Sequence, residues 1–322
     1  MRYAVCLSMM ASPPFDLLGS FELLPEHAAH QLYAVSRDLY APILAAFAAR
    51  CLDDLRVARN GLNLCLARDG ISSFLAQRVL LRVTPARFRG VSSRQVRLAY
   101  LSRHLVREGC ACVATRRLVE GYLRGQGLTG ARAVTFVDVG IHGRIQDAVQ
   151  RWYPTGDIHG RYLIYHRRAD DLNARRKHGF LVGDAASVDG TAFLRREAIH
   201  LLEDLWSGVY ESVTKLRKVA GKRKGTRIRP ALERLGTRSQ LPVCASDLRR
   251  LKSMALRGLV DGVARTALAS EPIFHDTTSG RDWVDDQARR LARWIASTRE
   301  PESPDSWLWR LVIRPDHDSS ER

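Results

Sequence analysis

Long apolar runs are missing from this 322-residue chain. None approaches the roughly 18 residues that a membrane-spanning helix needs; the nearest is the broken stretch 41–49, so a soluble protein is expected. Lysine is also scarce. Only six of the 51 basic residues are lysine (Lys177, Lys215, Lys218, Lys222, Lys224, Lys252), and the rest are arginine. A net charge of +17 and a pI near 10.2 raise nucleic acid or an anionic membrane surface as partners. The arginine skew weakens that inference, because a GC-rich coding genome produces it without selection on binding. Cysteines number six and lie mostly in apolar segments such as 64–66. Cys110 and Cys112 have no second Cys/His pair at zinc-site spacing, so neither a zinc site nor a disulfide scaffold is expected, and a reduced cytoplasm is the simpler location. The opening MRYAVCLSMMAS resembles a short signal sequence, with one positive charge and a short apolar stretch. No internal repeat appears.

What is present is ordinary for a globular protein: 45% hydrophobic and 26% charged residues, which excludes global disorder. Length alone predicts about two domains. Apolar positions Leu32, Val35, Leu39, Ile43, Leu44, Phe47, Cys51 and Leu55 recur at helical steps, predicting a long amphipathic helix from Ala28 to Leu55, broken near Pro42. The run 61–67 reads as a strand ending at Arg68-Asp69-Gly70, with a helix over 71–81. A second strand is read at 96–101, a third at 133–138 followed by a helix over 145–152, and a fourth at 161–166. Strands alternating with helices predict an α/β fold, a Rossmann-like parallel sheet with its site at the strands' carboxyl ends, followed by a C-terminal helical region. The expected organisation is an N-terminal segment (1–30), an α/β phosphate-binding domain (31–189), a helical region (190–300) and a disordered tail (301–322). Within the helical region, 191–220, 245–269 and 281–298 read as helix.

Three strand ends carry residues suited to phosphate chemistry. Arg68-Asp69-Gly70 sits where a strand should yield to a helix, so the glycine permits a tight turn, backbone amides can face a phosphate, and Arg68 adds a bidentate fork. An Arg68/Asp69 salt bridge capping the turn fits the tripeptide equally. Asp138 ends an apolar strand and opens a loop with Gly140, His142 and Gly143, an arrangement that places an acid beside a metal or ribose and amides beside a phosphate. Asp138 and His142 are the candidate catalytic residues, His142 as acid or base near neutral pH; a capping carboxylate and an ordinary loop histidine are the bland readings. Ser102 and Arg103 are taken as phosphate or backbone ligands, since the Gly-x-Ser-x-Gly elbow that would mark a nucleophile is missing. Lys215 to Arg229 holds eight bases in fifteen residues. Such a run can neutralise nucleic-acid phosphates, but it has no aromatic for base stacking, and a solvated connector is the competing reading.

Leu39-Tyr-Ala-Pro42, Leu66-Ala-Arg-Asp-Gly70, Tyr100-Leu-Ser-Arg103, Phe136-Val-Asp-Val-Gly140 with His142, Gly143 and Gln146, and Leu202-Glu-Asp-Leu-Trp206 occur in an order that resembles a known region. It is the one that follows the hydrolase domain in bacterial haloacid-dehalogenase (HAD) superfamily proteins of surface-polysaccharide and glycosyltransferase gene clusters. The resemblance covers roughly residues 35 to 265. The HAD nucleophile pattern Asp-x-Asp-x-Thr is absent, and Phe15-Asp16 does not supply it, so no aspartate nucleophile carries over. A more distant similarity is to type I phosphoribosyltransferases: Ala67-Arg-Asp-Gly-Ile-Ser-Ser resembles their pyrophosphate loop, and Arg68 and Asp138 stand 70 residues apart. The second loop has one acid where that family has two and lacks its threonines, which leaves Mg²⁺ a candidate ion only. These resemblances imply binding, with transfer or hydrolysis, of a phosphorylated sugar or nucleotide in bacterial surface-polysaccharide biosynthesis. The alternatives are nucleic-acid binding through the basic segment, or a non-catalytic interaction module.

Overall fold

A computed structural model describes residues 25–58, 60–67, 69–182, 196–207, 212–221, 225–232, 245–269 and 278–298. Arg68, Lys222, Arg223 and Lys224, most of the expected N-terminal segment and the expected tail lie outside them. The described residues begin with helix α1 (Pro25–Val35), a π-helical turn (Ser36–Tyr40) and α2 (Ala41–Val57). The expected break near Pro42 is this wide turn. Proline has no N–H and its ring crowds the carbonyl four residues back, and a widened turn relieves both while the chain stays helical. Then come β1 (Leu62–Ala67), α3 (Ile71–Val83), β2 (Val96–Tyr100), α4 (Arg103–Ala111), α5 (Val113–Gly125), β3 (Val134–Asp138), α6 (Arg144–Trp152), β4 (Ile158–Ile164) and β5 (Lys177–Val182).

The five strands form one parallel sheet in the order β2-β1-β3-β4-β5. Because both faces are covered, β1 is buried along nearly its whole length, as the apolar run 62–67 requires. Its alternate side chains enter different cores. Leu62, Leu64 and Leu66 pack with Leu105, Val119, Leu123 and Val149 from α4, α5 and α6, whereas Cys65 joins Leu44, Phe47, Leu80 and Leu259 on the other face. That second face is lined by α2 and α3 and closed by α7 (Arg196–Leu205), α8 (Ala245–Ala269) and α9 (Thr278–Ser297). Nine consecutive residues, Ala41 to Ala49, are buried because α2 is enclosed on all sides. An Arg161 guanidinium ties β4 to α2 through two bonds to Asp54, at 2.7 and 3.0 Å.

The α/β fold with C-terminal helices is thus present, with one correction inside the region read as helical. Helix was expected over 191–220; α7 covers Arg196–Leu205, and an antiparallel hairpin follows, β6 (Leu216–Gly221) and β7 (Gly225–Pro230). The described part of the basic segment is therefore strand, with Arg217, Lys218, Arg227 and Arg229 exposed. Gly221 and Gly225 form the last pair of the ladder. Among the described residues, no helix is long and apolar enough to cross a membrane.

Candidate functional site

In an open parallel sheet, ligands bind outside the carboxyl ends of the strands where the strand order reverses. With this order the reversal lies between β1 and β3. A cleft of about 220 Å³ opens there, bounded by Ala67 and Asp69 at the end of β1, Leu101 to His104 after β2, and Asp138 with Gly140 to Ile145 at the end of β3. Tyr162 of β4, Glu203 of α7 and Ser212 complete its lining. The ends of all three strands share one sheet edge, with Ala67 paired to Tyr100 and Cys65 to Val137.

Three carboxylates meet at the floor. Asp138 Oδ1 accepts from the Val139 amide at 2.9 Å. Burial, then the charges of Asp69 and Glu203, push the Asp138 carboxyl well above the usual carboxylate range, against a smaller opposing pull from Arg103. The proton is therefore held on Asp138 under conditions where an ordinary aspartate has lost it. Behind this floor, Tyr40 stacks on Trp206 with ring centroids 4.1 Å apart, and Trp206 Nε1 donates to Ser36 Oγ at 2.7 Å. Burial and the nearby Asp69 and Asp138 charges push the Tyr40 hydroxyl up too. The rim has the opposite sign: Arg103, at the start of α4, and Arg144, at the start of α6, are both exposed and both line the cleft.

The loop after β3 is held from below. Gly143 adopts φ +64°, ψ 32°, a left-handed conformation that side chains resist, and a β-carbon there would lie 2.6 Å from the Tyr162 hydroxyl. Tyr162 donates to Gln146 Oε1 at 2.8 Å. Lys177, fully buried in its side chain, donates to the His142 carbonyl at 3.0 Å and bridges Asp147 and Asp171 at 2.7 Å each. A lysine has three donors, and all three are used. His142 itself is half-buried. Its Nδ1 lies 2.9 Å from the His166 carbonyl, which only accepts, so Nδ1 carries the proton and Nε2 is left as an acceptor on a residue that lines the cleft. Burial, outweighing that hydrogen bond together with the neighbouring positive charges, lowers the His142 pKa. Its ring resonances should accordingly titrate below the ordinary value of about 6.5 in a proton NMR pH series. A midpoint above about 7 would leave His142 mostly protonated at pH 7 and remove it as the neutral base.

Of the residues expected from sequence, Asp69, Ser102, Arg103, Asp138, Gly140, His142 and Gly143 all line this cleft. Arg68 lies outside the described residues. Gly70 departs from expectation: it does not line the cleft, and its amide donates to the Leu66 carbonyl at 2.6 Å. A β-carbon on Gly70 would meet backbone atoms of Leu66 and Val137 at 2.6 to 2.9 Å, so the glycine is there for a tight strand-to-helix turn and offers no amide to a phosphate. Ser102 is a backbone ligand. Its Oγ accepts from the Leu105 amide, capping α4, and donates to the Val213 carbonyl. Sequence reasoning missed Arg144, Tyr162, Glu203 and Ser212. Glu203 lies in the quoted 202–206 motif, yet nothing in its spacing connects it to a residue 65 positions earlier. Among the described residues, no three His, Cys, Asp or Glu side chains are arranged to hold a metal ion; the carboxylates share a cleft without forming a preassembled Mg²⁺ cage. No protein-family model and no curated protein matches the chain.

Proposed function

We propose that the cleft binds a phosphorylated sugar or nucleotide, with the phosphate on the arginine rim and the hydroxyl-bearing part on the acidic floor. The observation that carries this reading is the meeting of opposite charges in one cleft at the reversal point of the sheet: exposed Arg103 and Arg144 above the carboxylates of Asp69 and Glu203, with the Asp138 carboxyl between them in the same lining. Guanidinium forks match phosphate oxygens, and carboxyl groups pair with sugar hydroxyls. Arg103 begins α4 and Arg144 begins α6, so each helix adds the positive end of its dipole to the rim.

The same geometry supports transfer or hydrolysis as the accompanying reaction. Asp138, held protonated, is a hydrogen-bond and proton donor, while His142 Nε2 is a neutral acceptor. An acid and a base with pKa values pushed in opposite directions form the pairing that general acid–base chemistry uses. A role in bacterial surface-polysaccharide assembly, which rests on the resemblance described above, and a cytoplasmic location, which rests on the cysteine usage, extend the same proposal.

Calorimetric titration with a panel of nucleotides, nucleotide sugars and sugar phosphates tests the binding. Arg103→Ala and Arg144→Ala should each weaken the ligand that binds by roughly 10- to 150-fold, the worth of a hydrogen bond to a charged group, about 1.5–3 kcal/mol. Phosphorylated ligands that bind no better than their unphosphorylated counterparts would overturn the reading.

A further inference from the structure

The hairpin β6–β7 stands apart from the cleft chemistry, and its charge is not accounted for by the arginine skew. From Lys215 to Leu232 the chain carries eight bases and no acid. Four of the six lysines of the whole chain fall between residues 215 and 224. A coding bias that replaces lysine by arginine everywhere else would not concentrate lysine here, so the positive charge of this segment needs its own cause.

The strand register shows where that charge points. Arg217 lies directly opposite Arg229, and Val219 opposite Arg227, so these four share one face. The other face carries Leu216, Ile228 and, opposite Ile228, an exposed Lys218. Leu216 is buried, and Ile228 packs against α5 so closely that a β-carbon on Gly121 would lie 2.5 Å from its Cδ1. The face of Leu216 and Ile228 is thus docked on the protein through those two residues, and the face of Arg217, Arg227 and Arg229 is turned outward, with all three arginines exposed. Among the described residues no carboxylate pairs with Arg217, Arg227 or Arg229. Like charges directly opposed across two strands destabilise a hairpin; an anionic partner removes that cost. Arg124 and Arg117, exposed on α5, extend the positive surface, and an Arg124 guanidinium nitrogen lies 4.0 Å from the same Gly121 position that Ile228 approaches.

We infer that the outward face of the β6–β7 hairpin docks double-stranded DNA, with Arg217, Arg227 and Arg229 on its phosphates and no reading of base sequence. A two-stranded ribbon fits the major groove of B-form DNA, whereas the narrow major groove of an RNA duplex does not admit it. Single strands are held by stacking aromatics, and residues 215–232 contain none. A bilayer surface favours apolar anchors beside the bases; the outward face offers only Val219, 37% exposed.

Fluorescence anisotropy with the full chain and a labelled random-sequence DNA duplex, over roughly 50–200 mM salt, tests this. The wild type should bind with steep salt dependence. In Arg217→Gln/Arg227→Gln/Arg229→Gln the slope of log K against log salt should become shallower by about 2.7, three contacts at about 0.9 each. A control with the same charge loss elsewhere, Arg151→Gln/Arg289→Gln/Arg293→Gln, should keep the wild-type slope, and circular dichroism should show all three proteins folded. The inference is overturned by absence of duplex binding, by equal loss in the control, or by equal or tighter binding to single-stranded DNA, duplex RNA or anionic phospholipid vesicles. If the hairpin variant does not fold, Arg217→Gln/Arg229→Gln, which removes only the directly opposed pair, should lower the slope by about 1.8, and an unchanged slope overturns the inference.

Discussion

Lys177→Met should destabilise the protein by about 3–5 kcal/mol, the usual cost of removing one partner from a buried ion pair, read as a lower denaturation midpoint at pH 7. The lysine side chain is 0% exposed and its partners Asp171 and Asp147 are 2% and 20% exposed, so water cannot replace the lost ammonium at Asp171. Methionine preserves most of the volume, which makes the loss electrostatic rather than steric. The pH dependence separates this cause from simple mispacking. Burial acts to raise the Asp171 pKa, but the Lys177 ammonium and the Tyr165 hydroxyl outweigh it and hold the carboxyl below its ordinary range. A depressed carboxyl contributes stability that is present above the unfolded-state pKa, about 3.9, and lost as pH falls through the folded value. Without Lys177 that contribution disappears and burial dominates. The gap between wild type and variant should therefore narrow as pH drops towards and below about 4; a gap independent of pH would assign the effect to packing. Adding Asp171→Asn to the variant should restore part of the stability at pH 7, because no unpaired charge then remains at that position.

Asp138→Asn should move stability and ligand binding in opposite directions. The amide keeps the shape and can keep the acceptor bond to the Val139 amide. In the wild type the Asp138 pKa is raised by burial, Asp69 and Glu203. Between the unfolded value and that raised value the native state holds a proton that the unfolded state has released, so stability falls as pH rises through this window. Asparagine has no such cost. The variant should consequently melt at the same or a higher temperature than wild type near neutral pH, with the difference vanishing below about pH 4. Affinity or turnover with the phosphorylated ligand should fall by tenfold or more, about 1.4 kcal/mol, because the amide cannot deliver a proton. A large drop in melting temperature with affinity retained would assign Asp138 to structure and remove the main residue of the proposed function. Gain of stability with loss of function is the pattern expected where a site holds charges in unfavourable proximity for a purpose.

Much of the sheet was legible from local pattern. Apolar runs ending in polar or glycine residues marked β1 at 62–67 and β3 at 134–138, and the helical spacing after each marked α3 and α6, because a strand covered on both faces must be apolar throughout and its helix apolar on one side. The edge strand β5 was not read. Its beginning, Lys177-His178-Gly179, follows two arginines and looks like solvated loop, and only the partners Asp147 and Asp171 explain a lysine in the interior. The hairpin was missed for a related reason: its outward face is arginine and its inward face holds few apolar residues, so no alternation stands out in 216–230.

The sequence by itself determined the strand–helix alternation, the carboxyl ends as the place for Asp69, Ser102, Arg103, Asp138 and His142, and the excess of positive charge. Hydrophobic period and turn chemistry are properties of one short segment and are visible there. The tertiary structure alone decided that β1 lies between β2 and β3, which brings the three strand ends to one cleft. It also decided that Glu203 of α7 reaches that cleft, that Lys177 clamps the loop of His142 from beneath, and that Gly70 serves the turn instead of a ligand. These are relations between segments far apart in the chain. Each depends on how two apolar faces are paired in space, and no periodicity within either segment specifies its partner.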